Sequence, residues 1–333
     1  MMKEKMKVLI IGASGYIGGA LARALLADGY HVSGLARSAQ AMAALRQHGL
    51  HALSGNLLQT AGLAQAVLQA DPDIVVCTAS AGGGAGDCSA FSADRDAVVA
   101  LVRALEGRGK TLIFTSGSAV FGVFADGEKS PQCFGEDTLL PLASEVFAPA
   151  QARVPVQFVE ELSAAISARV QAEQAVLTSS GLRAMVIRPG NVHGYGGSVD
   201  IPKHIEMARV HGVAPYMGSG ATTHGFVHLD DLVRLYQLAI TRGEHRGVYH
   251  PVAEELSQRE LAGAISRMIG AQGRTESLSL EQMYRLGGTR GVRLSVNKRL
   301  DAQKTRMQLG WTAEYRDTLH DVEFGSYARN AAE

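Results

Sequence analysis

The chain has 333 residues, of which 46% are apolar and 19% charged, a balance that excludes a disordered or low-complexity polymer. Lys plus Arg equals Asp plus Glu at 32 each, so no net field draws the chain to nucleic acid or to an anionic membrane surface. Three cysteines, Cys77, Cys88 and Cys133, form no CxxC pair and leave an odd count, which argues for reduced thiols in the cytoplasm rather than a disulfide framework.

The basic start Met1–Lys7 runs into Val8-Leu-Ile-Ile11, a short buried strand and too brief for the apolar core of a signal peptide. Gly12-Ala-Ser-Gly15-Tyr-Ile-Gly18 follows, and Gly19 to Asp28 reads as an Ala/Leu-rich helix ended by Gly29. A second strand spans His31 to Ala36, and a helix runs from Arg37-Ser38 to about Gln47. Leu50 to Leu53 is a third strand, Leu63 to Leu68 a helix, and Asp73 to Thr78 a fourth strand. Asp94 to Glu106 is helical, Thr111 to Thr115 is a fifth strand, and Leu182 to Ile187 a sixth after a helix over Arg169 to Thr178. Strands alternating with helices at this pace predict an α/β fold with a doubly wound parallel sheet. Pro202 to Val210 and Asp230 to Ile240 are further helices, Gly247 to His250 is a last strand, and beyond Ser257 the chain is mostly helical. These segments predict two units: a Rossmann domain over 1–190 and 224–252, and a smaller, mostly helical substrate lobe over 191–223 and 253–333. No apolar run approaches the ~18–20 residues of a membrane span.

The strongest local signal is a strand, then Gly12, Gly15 and Gly18, then a helix. Gly12 permits a sharp exit from the strand, Gly15 lets a pyrophosphate approach the backbone, and Gly18 allows close helix–sheet packing. The helix start offers free N–H groups and a positive dipole end to phosphates. The contacts expected here are Gly12, Ser14, Gly15, Tyr16, Ile17 and Gly18. At the end of the second strand, an Asp or Glu would read a ribose 2′-hydroxyl. Arg37 and Ser38 stand there instead and suit a 2′-phosphate, so the expected cofactor is NADP(H).

The chain resembles the extended or atypical short-chain dehydrogenases/reductases, close to the NAD-dependent epimerase/dehydratase group. The matching pieces are GASGYIG at 12–18, GLARS at 34–38, GNL at 55–57, DIVVCTAS at 73–80, TLIFTSGSAVFG at 111–122, AEQAVL at 172–177, VIRPGNVHG at 186–194, GFVHLDDL at 225–232 and LGW at 309–311. The resemblance implies that Asn56 and Leu57 lie along the adenine, and that Thr78, Ala79 and Ser80 run beside the ribose and pyrophosphate. It places Thr115 and Ser116 near the nicotinamide and sets Pro189, Asn191 and Val192 against the carboxamide. His228 to Asp231 would anchor the return to the core.

The chain departs from that family at the reacting centre. Its members carry Tyr-x-x-x-Lys, in which Tyr moves the proton while Lys lowers its pKa and holds the ribose. The register set by AEQAVL puts Ala165 at the Tyr position and Arg169 at the Lys position. An Arg can hold a ribose, but its pKa is too high to relay protons. Gly117 stands where the catalytic hydroxyl falls, flanked by Ser116 and Ser118, either of which could polarise a carbonyl. His193 is the first candidate for proton donor because its loop follows strand six, with Tyr195, Tyr216 and His224 behind it. The alternative for His193 is a packed residue in place of an aromatic.

The connection from 123 to 165 is long, with Pro141, Pro149 and Pro155 and an amphipathic run from Val156 to Leu162. It reads either as a lid over the substrate or as a homodimer surface. Gly82-Gly-Gly84 reads as a second mobile wall. No HExxH, CxxC pair or GxSxG is present, so neither a metal site nor a nucleophile elbow is expected. Three functions remain: an NADPH-dependent reductase of a small organic metabolite with a non-standard proton donor, a sugar-nucleotide epimerase or dehydratase, and a non-catalytic NADP-binding sensor.

Overall fold

The computed structural model describes residues 6–81, 90–140 and 155–330. In chain order the strands are β1 (Lys7–Ile11), β2 (His31–Ala36), β3 (His51–Ser54), β4 (Ile74–Cys77), β5 (Thr111–Thr115), β6 (Val123–Phe124), β7 (Arg183–Ile187), β8 (Asn191–His193), β9 (Ala214–Met217), β10 (Thr223–His228), β11 (Gly247–Tyr249), β12 (Glu254–Ser257), β13 (Thr275–Leu278) and β14 (Val296–Asn297). Seven of them form one parallel sheet in the order β11-β7-β5-β4-β1-β2-β3.

The central strands are continuous runs of Val, Ile and Leu because both faces of the sheet are covered. Successive side chains alternate between the two faces. Val8, Ile10, Ile74, Val76, Ile113 and Met185 enter one core with Leu21 and Leu25 of helix α1 (Tyr16–Ala27) and Leu232 and Leu235 of the helix Leu229–Arg242. Leu9, Ile11, Val75, Cys77, Leu112 and Phe114 enter the other. Helices α2 (Ala39–Gln47), α3 (Thr60–Ala70), α4 (Ala90–Leu105) and α5 (Val156–Leu177) complete the wrapping. Each of these fully buried aliphatic side chains contributes about 1.5–3 kcal/mol relative to an exposed one.

The chain builds outward through β2 and β3 and then returns to place β4 on the opposite side of β1. That reversal opens a crevice at the carboxyl ends of β1 and β4, where open α/β sheets hold their ligands.

The region beyond residue 190 carries more strands than the sequence pattern suggested. Strand β10 pairs with β8 and β12 in a separate three-stranded sheet, β13 with β9, and β14 with β6. The return to the main sheet is therefore made by the helix Leu229–Arg242 and β11. Strand β10 belongs to the second sheet. The amphipathic run at 156–162 also finds a different use. It begins α5, and Val159, Leu162 and Ile166 pack with Met207, Met217, Met283 and Val296. This part of the long connection thus joins a buried cluster with residues from beyond 200. The rest of it from 141 to 154, the Gly82–Gly84 wall and Cys88 lie outside the described residues. Cys77 and Cys133 are free thiols. Among the described residues no helix is long and apolar enough to cross a membrane.

Candidate active site

The Gly12–Gly18 loop is built around the Gly12 carbonyl. Gly12 has φ +99°, and a Cβ there would come within 2.7 Å of Thr78 Oγ1. Gly15 N donates to Gly12 O at 2.9 Å, and a Cβ on Gly18 would meet the same oxygen at 2.2 Å. Only glycine fits these two close approaches. Gly15 is the N-cap of α1 and lends it no side-chain cap, and the first turn carries no acidic residue. The first N–H groups of α1 therefore have no intrahelical acceptor and face the crevice with the positive end of the dipole. Helix α1 starts at Tyr16, three residues before the expected Gly19, so Tyr16, Ile17 and Gly18 belong to its first turn.

Ser14 is exposed, and Ile17 packs against the core below α1. Tyr16 reaches sideways, its hydroxyl donating to Gly194 O at 2.8 Å. Its ring lies where a Cβ on Gly197 would be, at 2.4 Å. Burial pushes the Tyr16 phenol up, so it serves as a neutral strut. The loop it touches is held from the far side by Ser326, which accepts from Gly196 N at 2.8 Å, and by Tyr327, which donates to Gly197 O.

One strand over, Arg37 is exposed and makes no hydrogen bond or ion pair with any described residue. Ser38 caps α2, accepting from Ala41 N at 3.2 Å, and its hydroxyl proton is still free to donate. Asn56 Oδ1 accepts from Leu58 N at 3.0 Å, which fixes the turn after β3, and Leu57 is buried beside it. Thr78 ties the end of β4 to β1 through Ile11 O, and Ala79 packs on the sheet.

Arg169, on α5, reaches the end of β5. Its Nη1 donates to Thr115 O at 3.2 Å, and its guanidinium lies 4.7 Å over the Phe91 ring. Burial lowers its pKa, and the Asp94 carboxylate opposes that shift. Ala165, four residues earlier on α5, is buried and offers no hydroxyl. Thr115 Oγ1 shares a 2.5 Å hydrogen bond with Tyr236 OH, a partner that no motif pointed to. Ser116 Oγ is buried and makes no hydrogen bond with any described residue. Ser118 is buried and begins the short 3₁₀ turn Ser118–Phe121, held by its N–H on Pro189 O at 3.0 Å. Gly117 has open space where a Cβ would stand.

His193 is turned away from this group. It is 2% exposed, with Nε2 2.9 Å from Thr318 Oγ1 and Nδ1 3.7 Å from Asp321. Of the two expectations for His193, proton donor or packed ring, the geometry is that of the packed ring: β8 alternates and sends this side chain toward Phe226, His228 and the helix Thr318–Phe324. Val192, on the other face of β8, packs beside the main core. Asn191 Nδ2 lies 3.4 Å from His224 Nδ1, and His224 is itself held by Val296 O at 2.9 Å. Tyr216 is buried, whereas Tyr195 is exposed with φ +55° and donates to Asp230 at 2.6 Å. That carboxylate pushes the Tyr195 phenol up to about 12.

Pro189 lies in the turn between β7 and β8, which Gly190 ties to Pro251 O. Below it, Arg188 and Glu173 form a buried ion pair at 2.6 Å. Asp231 receives the backbone N–H groups of Glu314 and Tyr315, while the Trp311 indole donates to Asp231 O at 2.9 Å. No set of three or more His, Cys, Asp or Glu side chains among the described residues is placed to hold a metal ion.

The residue that motif reading missed is Asp94. It accepts from Ser80 Oγ at 2.7 Å and from Ala81 N at 2.6 Å, beside Arg169. Its sequence signal was a carboxylate on the apolar stripe shared with Ala97, Val98 and Leu101.

Together, a glycine cradle under uncapped helix amides and a fixed guanidinium at the end of β5 fit a dinucleotide lying across the carboxyl edge of the sheet. The model of the NAD dependent epimerase/dehydratase family matches residues 8–250. An uncharacterised protein of Schizosaccharomyces pombe is 29% identical over 324 residues, covering 97% of this chain and all of its own. A dTDP-4-dehydro-6-deoxy-D-allose reductase of Streptomyces is 30% identical over 160 residues, 45% of this chain and 47% of that one. Among solved structures, dTDP-glucose 4,6-dehydratase of Streptomyces venezuelae, crystallised with NAD, superposes with a TM-score of 0.70 at 20% identity, covering 98% and 97% of the two chains. A UDP-glucose 4-epimerase of Thermotoga maritima gives 0.71 at 17%, covering 98% and 100%. The chain belongs to the NAD-dependent epimerase/dehydratase family.

Proposed function

We propose that the chain is an NADP(H)-dependent reductase of a small organic metabolite, acting on a C=O or a C=N/C=C bond without the tyrosine its relatives use. The bound dinucleotide supplies the hydride. The Gly12–Gly18 loop and the first amides of α1 hold the pyrophosphate, and Arg37 with Ser38 takes the 2′-phosphate. Arg169 holds the nicotinamide-side ribose. Ser116, or Ser118 behind it, polarises the bond to be reduced. An unpartnered buried hydroxyl costs about 1–3 kcal/mol, and a ligand oxygen at Ser116 would remove that cost. With His193 engaged by Thr318, the proton is assigned to water or to the substrate itself. The region over 191–223 and 253–333 is the proposed substrate lobe.

The observation that carries this reading is the combination at α5. The proton-moving hydroxyl is gone at Ala165, while a cation is kept at Arg169 and fixed on Thr115 O. Reversible oxidation of an alcohol needs a positioned base, whereas reduction needs only a proton source. A second reading, a sugar-nucleotide ketone as substrate, is favoured by the partial match to the Streptomyces reductase, whose name specifies a 4-dehydro sugar. The test is the loss of NADPH absorbance across a panel of aldehydes, ketones, imines, enones and dTDP-4-dehydro sugars. Turnover of any member supports a reductase, and turnover confined to the last class selects the second reading. Tight NADPH binding with no turnover anywhere would leave the sensor function instead.

A further inference from the structure

Helix α4 carries one carboxylate on its apolar face. Asp94 is 4% exposed and lies on the stripe of Ala97, Val98 and Leu101, which are buried in the core. A carboxylate in that setting is costly unless its lone pairs are met. Here Oδ2 accepts from Ser80 Oγ at 2.7 Å and Oδ1 accepts from Ala81 N at 2.6 Å, both from the turn that leaves β4. The same Oδ2 lies 3.8 Å from Arg169 Nη2. One carboxylate thus joins three segments at the crevice: the end of β4, the start of α4 and the middle of α5.

Arg169 has five N–H donors, and one of them makes a hydrogen bond with a described residue, to Thr115 O at 3.2 Å. A lysine ammonium is a compact charge that works in many orientations. A guanidinium is a planar fork whose donors are useful only when its plane is set. The Phe91 ring, 4.7 Å from the guanidinium carbon, and Asp94, 3.8 Å from Nη2, are the neighbours available to set that plane.

We propose that Asp94 is a positioning residue that sets the Arg169 guanidinium toward the nicotinamide-side ribose, so that Asp94 and Arg169 act as a unit. The inference rests on the cofactor reading above. Its consequence is selective. Loss of the Asp94 charge is felt by ligands that reach past the pyrophosphate and not by the adenosine half alone.

The test is a double-mutant cycle read by calorimetric titration with NADPH and, separately, with ADP. The proteins are wild type, Asp94→Asn, Arg169→Met and the double variant, each checked by thermal unfolding. Asn keeps one acceptor for Ala81 N, offers an N–H that the Ser80 hydroxyl can accept, and removes the charge, so the turn after β4 stays held. Asp94→Asn is expected to weaken NADPH about tenfold, leave ADP affinity unchanged, and add nothing in the Arg169→Met background. If Asp94→Asn does not fold, Asp94→Glu, which moves the carboxylate by one methylene, is expected to give the same NADPH-selective loss. Equal losses for NADPH and ADP, or the same loss with and without Arg169, would overturn the proposal. So would undiminished NADPH affinity in both Asp94 variants. Wild type that binds neither ligand would overturn the cofactor reading itself.

Discussion

Two neighbouring glycines on α1 are expected to respond in opposite ways to the same substitution. At Gly18 an added methyl would stand 2.2 Å from Gly12 O and 2.7 Å from Thr78 Oγ1, so helix and loop must separate by about 1 Å to reach ordinary contact at 3.4 Å. Overpacking of this kind costs about 1–3 kcal/mol, and Ala recovers at most about 1 kcal/mol of helix propensity. Gly18→Ala should therefore be destabilised by up to about 2 kcal/mol. The Gly12 carbonyl also accepts from Gly15 N at 2.9 Å, so its displacement misaims the amides of the proposed phosphate site. Loss of one such hydrogen bond corresponds to about tenfold in dinucleotide affinity. At Gly19 the added methyl meets Ala13 O at 3.3 Å, a contact that a few tenths of an ångström relieves. Gly19→Ala should keep its affinity and gain up to about 1 kcal/mol. Denaturant unfolding and calorimetric titration of both variants make the comparison. Wild-type affinity in Gly18→Ala, or equal effects at the two positions, would refute the argument that close packing shapes the loop.

Arg37→Glu should weaken NADPH by about ten- to hundredfold and leave NADH nearly unchanged, because the proposed charge-assisted contact to the 2′-phosphate would be replaced by repulsion. Unaltered selectivity in competitive titrations removes Arg37 from the site. His193→Phe keeps the ring volume and deletes both nitrogens, so stability should drop by about 1–3 kcal/mol while turnover per folded molecule persists. Lost turnover at full stability would restore His193 as proton donor. Burial, helped by Arg188, pushes the His250 imidazole down to about 3, and burial shifts His204 and His224 in the same direction. In the unfolded chain these groups take up protons near pH 6.5, before the folded chain does. Unfolding free energy should therefore fall as pH drops below about 6.5, at up to about 1.4 kcal/mol per pH unit for each such group, and for His250 the fall continues toward pH 3. A flat profile between pH 7 and pH 5 in denaturant titrations would contradict this.

The parallel sheet was legible because its strands are short apolar runs set between glycine turns and helical periods, as at Val8–Ile11 and Thr111–Thr115. Arg169 was legible because a helix fixes register, and four residues from Ala165 is one turn. Strands β9, β12 and β13 have no run of alternating apolar residues. Each is four residues long and finds its partners through tertiary pairing. The orientation of His193 was also hidden. The motif places it at the mouth of the crevice, but which face of β8 it takes depends on pairing with β10 and on Thr318, 125 residues away. Asp94 was overlooked for a similar reason. A carboxylate on an apolar stripe marks a constraint, but only the fold shows that Ser80, Ala81 and Arg169 share it.

The most direct check of the central claim is calorimetric titration of the intact chain with NADPH and NADH. Saturable binding of both is predicted, with NADPH the tighter and the preference lost in Arg37→Glu. No saturable association with either dinucleotide would contradict the assignment of the Gly12–Gly18 loop as a pyrophosphate cradle.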